Sequence, residues 1–199
     1  MVPSMWTSFL IELSPEDAVR TLAEKGWLHS ELSDEHAKML LERGDPEKVG
    51  AEFRKFAADL GADLPQGHLW LSYDITLKPP AGVMEDLKPW LDLFNAIGIT
   101  AAVLHPGGRQ LLNGWVHPAL VAEKRAASLH AMGEYLKDTD LVVCLENMGE
   151  APLAHDLKAI IEQAGSSNLG ICLDTGHLHM ASKDQGGFIR DAGPLLKAL

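Results

Sequence analysis

Residues 168–181 read NLGICLDTGHLHMA. An apolar run, residues 169–173, gives way to Asp174, a Thr-Gly pair and then His177. A short run rich in Leu and Ile fits a buried strand. This one ends by presenting a carboxylate and an imidazole three residues apart. What that ending means depends on how the other apolar runs of the chain end.

Working back toward the N-terminus, the same alternation recurs. Residues 141–145 form an apolar run that stops at Glu146, and the spacing predicts a helix over residues 152–164. Residues 99–104 run into His105-Pro106-Gly107-Gly108, ahead of a predicted helix over 118–136. A third run, 68–75, precedes a loop with Pro79 and Pro80 and a helix over 83–96. A second run, 27–32, ends in Glu31-Leu32-Ser33-Asp34-Glu35-His36, and a helix over 46–60 follows, stopped by Gly61. The first run, 6–10, leads to Ser14-Pro15-Glu16-Asp17. There a serine can cap the helix, proline fits its first turn, and the acids suit its positive end. Gly26 closes that helix, and a last helix is predicted over 189–199, interrupted at Gly193-Pro194.

Strand-then-helix units in one order, without hairpin turns, indicate an α/β fold with a parallel sheet and helices outside it. Right-handed crossovers leave an open doubly wound sheet or a (β/α)8 TIM barrel. No GxGxxG follows the first strand and no GxxxxGK[ST] occurs, which removes the main grounds for a nucleotide-binding open sheet. With 199 residues, 46% hydrophobic and 23% charged, and no low-complexity linker, the chain reads as one globular domain spanning 1–199. Its 17 basic against 28 acidic side chains give a formal charge of −11, which disfavours adhesion to nucleic acid or anionic membrane. No apolar run approaches the roughly 18 residues of a spanning helix, and no signal-peptide pattern opens the chain, so a cytoplasmic location is expected. Cys144 and Cys172 lie two residues before Glu146 and Asp174. Alternation puts each pair on one strand face, so both thiols are expected inside a barrel, on adjacent strands and unbonded.

In parallel α/β folds, chemistry gathers at the carboxyl ends of the strands. Those ends supply Glu31, His105, Glu146, Asp174 and His177, with His68 at the start or middle of its run. Each has a plain structural account by itself. Asp174 can be an N-cap, His177 a loop histidine, Glu146 the partner of a lysine. His105 can orient a Pro-Gly turn, and Glu31 can join a capping arrangement with Ser33 and His36. Together they converge carboxylates and imidazoles on one end of a barrel, where like charges repel unless a cation joins them. An oxygen-and-nitrogen donor set without thiolate suits a divalent metal: Mn, Mg, Co or Zn.

The stretches ELSDEH (31–36), GHLWLSYDI (67–75), LHPGG (104–108), LEN (145–147) and CLDTGHLHMA (172–181) resemble the xylose isomerase-like TIM barrels. That superfamily holds sugar phosphate isomerases and epimerases together with metal-dependent AP endonucleases. The resemblance implies that Glu146 and Asp174 are metal ligands and that Glu146 is also an acid/base. It implies that His177 holds metal or substrate, and that His68 and His105 bind substrate or, in an endonuclease, zinc. Arg109 would meet a phosphate, and Glu31 is an additional candidate. The family's late His-x-x-Asp segment and final Glu find no match, and no seventh or eighth strand is read. The domain is therefore expected to be C-terminally truncated relative to the family, with about six β/α units. The open edges, strands one and six, would favour a homo-oligomer.

The implied activity is metal-dependent isomerisation or epimerisation of a sugar or sugar phosphate, by proton transfer through an enediolate. The implied partner is a small-molecule sugar. The alternatives are a zinc-dependent AP endonuclease-like phosphodiesterase, or a non-catalytic fragment in which the short chain is inactive. The charge of −11 and the scarcity of basic residues between Arg109 and Lys124 weigh against the endonuclease.

Overall fold

The computed structural model describes residues 3–199, which fall into two compact units. One holds the chain up to Leu71 together with Leu87–Ala102, and the other holds Ser72–Asp86 together with Val103–Leu199. In chain order the elements are β1 (Met5–Trp6), α1 (Pro15–Glu24), β2 (His29–Leu32), α2 (Asp34–Leu41), α3 (Pro46–Asp59) and β3 (Asp63–His68). Next come α4 (Pro80–Ile97), β4 (Ala101–Leu104), α5 (Arg109–Asn113), α6 (Pro118–Leu136) and β5 (Val142–Glu146). The chain finishes with α7 (Ala154–Ala164), β6 (Leu169–Cys172), α8 (Thr175–Ala181), α9 (Gln185–Ala192) and β7 (Leu196–Ala198).

In the first unit β1 pairs parallel with β2 (Met5 opposite Ser30, Trp6 opposite Glu31), and β2 pairs parallel with β3 (Glu31 opposite Gln66, Leu32 opposite Gly67). Helix starts follow their sequence signals. The Ser14 hydroxyl accepts from the Asp17 amide at 3.1 Å, and the Asp45 carboxylate accepts from the Lys48 amide at 2.9 Å, each just before a proline. Leu32, Leu40, Phe53, Leu64, Leu91 and Phe94 are buried in this unit. Gly67 is required where it stands, because a Cβ there would lie 2.9 Å from both Phe94 and Ile99.

In the second unit β5 pairs parallel with β6 from Val143–Leu169 to Glu146–Cys172, and β6 pairs parallel with β7 (Ile171 opposite Leu196, Cys172 opposite Ala198). Leu104, Leu129, Met132, Val143, Leu145, Leu157 and Ile171 are buried in this unit. Within each unit the sheet order follows chain order, β1-β2-β3 in the first and β5-β6-β7 in the second. The fold class is α/β, an incomplete (β/α)8 barrel type with parallel strands.

Three sequence expectations change. The third strand is not the apolar run 68–75 but Asp63–His68, so His68 stands at the strand's carboxyl end rather than at its start or middle. Hydropathy misplaces it because this strand carries Pro65, Gln66 and Gly67, while Leu69 and Ile75 are fully buried from a loop. The helix expected over 189–199 ends at Ala192, because Gly193 (φ 55°) and Pro194 stop it. A short seventh strand then forms, and it covers β6, which was expected to be an open edge. Both cysteines are buried and unbonded on adjacent strands, as expected. Burial pushes the Cys144 thiol up to about 12, so it stays protonated and inert at neutral pH.

Candidate active site

Glu146 is the last residue of β5 and is 7% exposed. One carboxylate oxygen lies 3.1 Å from His105 Nε2, and the other lies 3.2 Å from His177 Nδ1. Asp174 follows β6 by two residues in an extended conformation and N-caps α8, its Oδ1 accepting from the His177 amide at 2.6 Å. The capping role is thus real, and it does not exclude a second one. The first turn of α8 turns His177 back so that its Nδ1 lies 3.8 Å from Asp174 Oδ1 while facing Glu146. Donor atoms of Glu146, Asp174 and His177 all lie within 4.8 Å of one another.

This donor set fits a divalent cation. Ligand atoms about 2.1 Å from a small cation sit roughly 3.0–3.4 Å from each other in octahedral or tetrahedral arrangements. The 3.2 Å separation falls within that spacing, and the 3.8 Å one is longer than it. The donors are oxygen and nitrogen only, and the side chains of Asp174 and His177 are 38% and 45% exposed, which leaves a path for a cation to enter. Two carboxylates this close also favour occupation by positive charge.

His105 is presented by a turn that the sequence marks with two glycines. Gly107 (φ 67°) and Gly108 (φ 95°) both adopt left-handed backbone, and a Cβ on Gly107 would strike Asp74 Oδ1 at 2.5 Å. The Asp74 carboxylate accepts from the Gly108 amide at 3.0 Å. On the other side the guanidinium of Arg125, from α6, donates to Pro106 O at 2.8 Å and to Gly107 O at 2.6 Å. Arg125 is 7% exposed, and burial holds its pKa below the usual arginine value against the opposing pull of Glu150 and Asp74.

Asp74 and Arg125 were not singled out from the sequence, although signals existed. Arg125 sits four residues from Val121 and four from Leu129, on the buried stripe of its helix, where an unpaired guanidinium would be costly. Asp74 begins an Asp-x-Thr turn, accepting from the Thr76 amide at 2.9 Å and the Thr76 hydroxyl at 2.6 Å. Asn147 was also missed as a separate residue. It is fully buried and binds the Asp174 backbone at both its amide and its carbonyl.

The remaining expected residues are placed as follows. Arg109 opens α5 with its side chain 79% exposed and its Nε 3.9 Å from Glu150 Oε1. In the first unit, His68 ends β3 and is buried, with Nδ1 2.6 Å from Leu69 O. Glu31 lies in β2, half-buried. Beside it, Ser33 N-caps α2 and accepts from the His36 amide at 3.3 Å.

Parallel strands alternating with helices, with carboxylates and imidazoles gathered where consecutive strands end, define the class of incomplete (β/α)8 barrel chains. This chain belongs to the xylose isomerase-like TIM barrel family, which matches residues 19–198. Among solved structures, D-psicose 3-epimerase in the presence of D-fructose matches with a TM-score of 0.79 and 18% identity, over 100% of this chain and 72% of that one. D-Psicose 3-epimerase from Clostridium cellulolyticum H10 with D-tagatose gives 0.78 and 16%, over 98% and 71%. The probable 3-DHS dehydratase AsbF, involved in petrobactin synthesis in Bacillus anthracis, gives 0.77 and 14%, over 99% and 71%. The structural neighbours are thus sugar epimerases and a dehydratase, and at these identities the likeness establishes the fold. No curated protein matches the sequence. Among the described residues, no helix is long and apolar enough to cross a membrane.

Proposed function

We propose that this chain carries a divalent-metal site of a sugar or sugar-phosphate isomerase or epimerase, with Glu146, Asp174 and His177 as ligands. The observation that carries the reading is the convergence of donor atoms from these three residues within 4.8 Å. A cation held there would polarise a carbonyl and a neighbouring hydroxyl oxygen and so acidify the C–H between them. Glu146 has the position for the base. Its carboxylate is buried and flanked by imidazoles on both oxygens, so a proton taken from carbon has a held acceptor. Asp174 fixes the orientation of His177 by capping its helix. Substrate-binding roles for His68, His105, His177 and Arg109, with Glu31 as a further contact, belong to the same proposal.

Removing the proton is a step Glu146 can perform by itself, whereas inversion needs a second acid at the opposite face of the carbon. Exchange into D2O therefore tests the base directly. Purified chain should carry near-stoichiometric Mn, Co or Zn by elemental analysis, and Asp174→Ala should lose it. Ketoses and ketose phosphates incubated in D2O should gain deuterium beside the carbonyl, and Glu146→Gln should slow that exchange about 1,000-fold. Wild-type protein that keeps no metal and exchanges no substrate would overturn the reading.

A further inference from the structure

We propose that Asn147 is the residue that positions Asp174, its side-chain amide standing in for a missing strand residue. The inference rests on the metal-site reading for its purpose, but not for its geometry. The β5–β6 ladder ends at Glu146 opposite Cys172, so Asp174 lies two residues past the last paired position. On the β7 side the ladder runs one residue further, with the Leu173 amide donating to Ala198 O at 3.1 Å. On the β5 side the chain has left the strand, and Asn147 meets Asp174 through its side chain instead. The Asp174 amide donates to Asn147 Oδ1 at 2.6 Å, and Asn147 Nδ2 donates to Asp174 O at 3.0 Å.

On a parallel neighbouring strand the same acceptor and donor would come from the two peptide units that flank one residue, and here the edge of a single carboxamide presents both. Only one orientation of the carboxamide satisfies both bonds, because an amide hydrogen must meet oxygen and a carbonyl must meet NH2. Asn147 is fully buried, so water does not compete for either bond. The consequence reaches the donor cluster from two sides. Asn147 is covalently next to Glu146, and its side chain fixes the backbone of Asp174, whose carboxylate caps α8 and sets His177. A single residue thus ties the two strand ends that supply the carboxylates.

The test is amide hydrogen exchange by NMR on metal-free protein, paired with Mn and Co titrations. In Asn147→Ala the Asp174 amide should exchange on the order of 100-fold faster, as for a local opening. The Val143 amide, held by Asn168 O at 3.0 Å at the start of the same ladder, should keep its protection. Asn147→Asp keeps the acceptor for the Asp174 amide and should restore most of that amide's protection, which also covers the case of poor folding in the alanine variant. Mn or Co affinity should fall at least tenfold in Asn147→Ala. An unchanged Asp174 amide, equal acceleration of Val143 and Asp174, or unchanged affinity where wild type binds cation would each overturn the proposal. Wild type that binds no cation would sink the metal reading alone, and the exchange arm would still decide the role of Asn147.

Discussion

The same four-residue device occurs in both units of the molecule and does different work in each. After β2, Ser33 caps a helix and His36 follows three residues later. After β6, Asp174 caps a helix and His177 follows three residues later. In the first case His36 is fully buried. Its Nε2 faces Leu13 O at 3.2 Å, and its Nδ1 faces the hydroxyls of Thr7 at 2.9 Å and Ser33 at 3.3 Å. A carbonyl accepts only, so Nε2 carries the hydrogen and Nδ1 accepts from hydroxyls, which is a satisfied neutral ring. In the second case the ring is 45% exposed and faces Glu146 and Asp174 carboxylates. Backbone geometry is shared, and the partners decide whether the imidazole locks a core or stands half-exposed beside two carboxylates.

Exchanging the caps breaks the comparison most directly. Ser33→Asp places a carboxylate where Ser33 is fully buried among hydroxyls and a neutral imidazole. The new charge must be desolvated or must protonate His36, and we expect a loss of about 3 kcal/mol in urea unfolding. For a chain of this size that lowers Tm by roughly 6–12 °C. A loss under about 1 kcal/mol, the range of an ordinary cap change, would mean the two environments differ less than their partners imply.

The reverse exchange, Asp174→Ser, keeps a capping oxygen for the His177 amide and removes one of the carboxylates. Cation affinity measured by titration calorimetry should fall about 100-fold, equivalent to about 2.7 kcal/mol. Metal-free stability should change by only a few tenths of a kcal/mol, because serine and aspartate cap comparably. Unchanged affinity would reduce Asp174 to its capping role.

Much of this site was legible because the sequence ends two apolar runs on carboxylates, at Glu146 and Asp174. The helix over 118–136 was equally plain, opened by Pro118 and observed at those limits. What was not legible depends on partners far away in sequence. Arg125 on the apolar stripe of its helix and Asp74 at the head of an Asp-x-Thr turn each signal a local role, but the Pro106–Gly108 turn that they hold lies 18 to 34 residues away. Hydropathy failed for β3, whose Pro65-Gln66-Gly67 centre is paired with β2, and for β7, whose three residues follow a helix stop. Short strands of that kind are specified by the neighbour they pair with rather than by their own composition.

The smallest expected effect sharpens the contrast through pH. Burial holds His36 below its ordinary value, against the opposing Leu13 carbonyl and the Glu35 and Glu16 carboxylates. The unfolded chain therefore takes up this proton more readily than the folded one. Stability contributed by the neutral ring is complete above the unfolded value near 6.5. It is lost progressively as pH falls from there to the depressed folded value, and below that the loss is complete. Urea midpoints between pH 8 and 5 should fall more steeply for wild type than for His36→Gln, which removes the titrating group while costing stability at every pH. Parallel pH profiles would show that His36 takes up its proton equally well in both states. In that event burial would not enforce a neutral ring, and the distinction between the two strand-end histidines would rest on their partners alone.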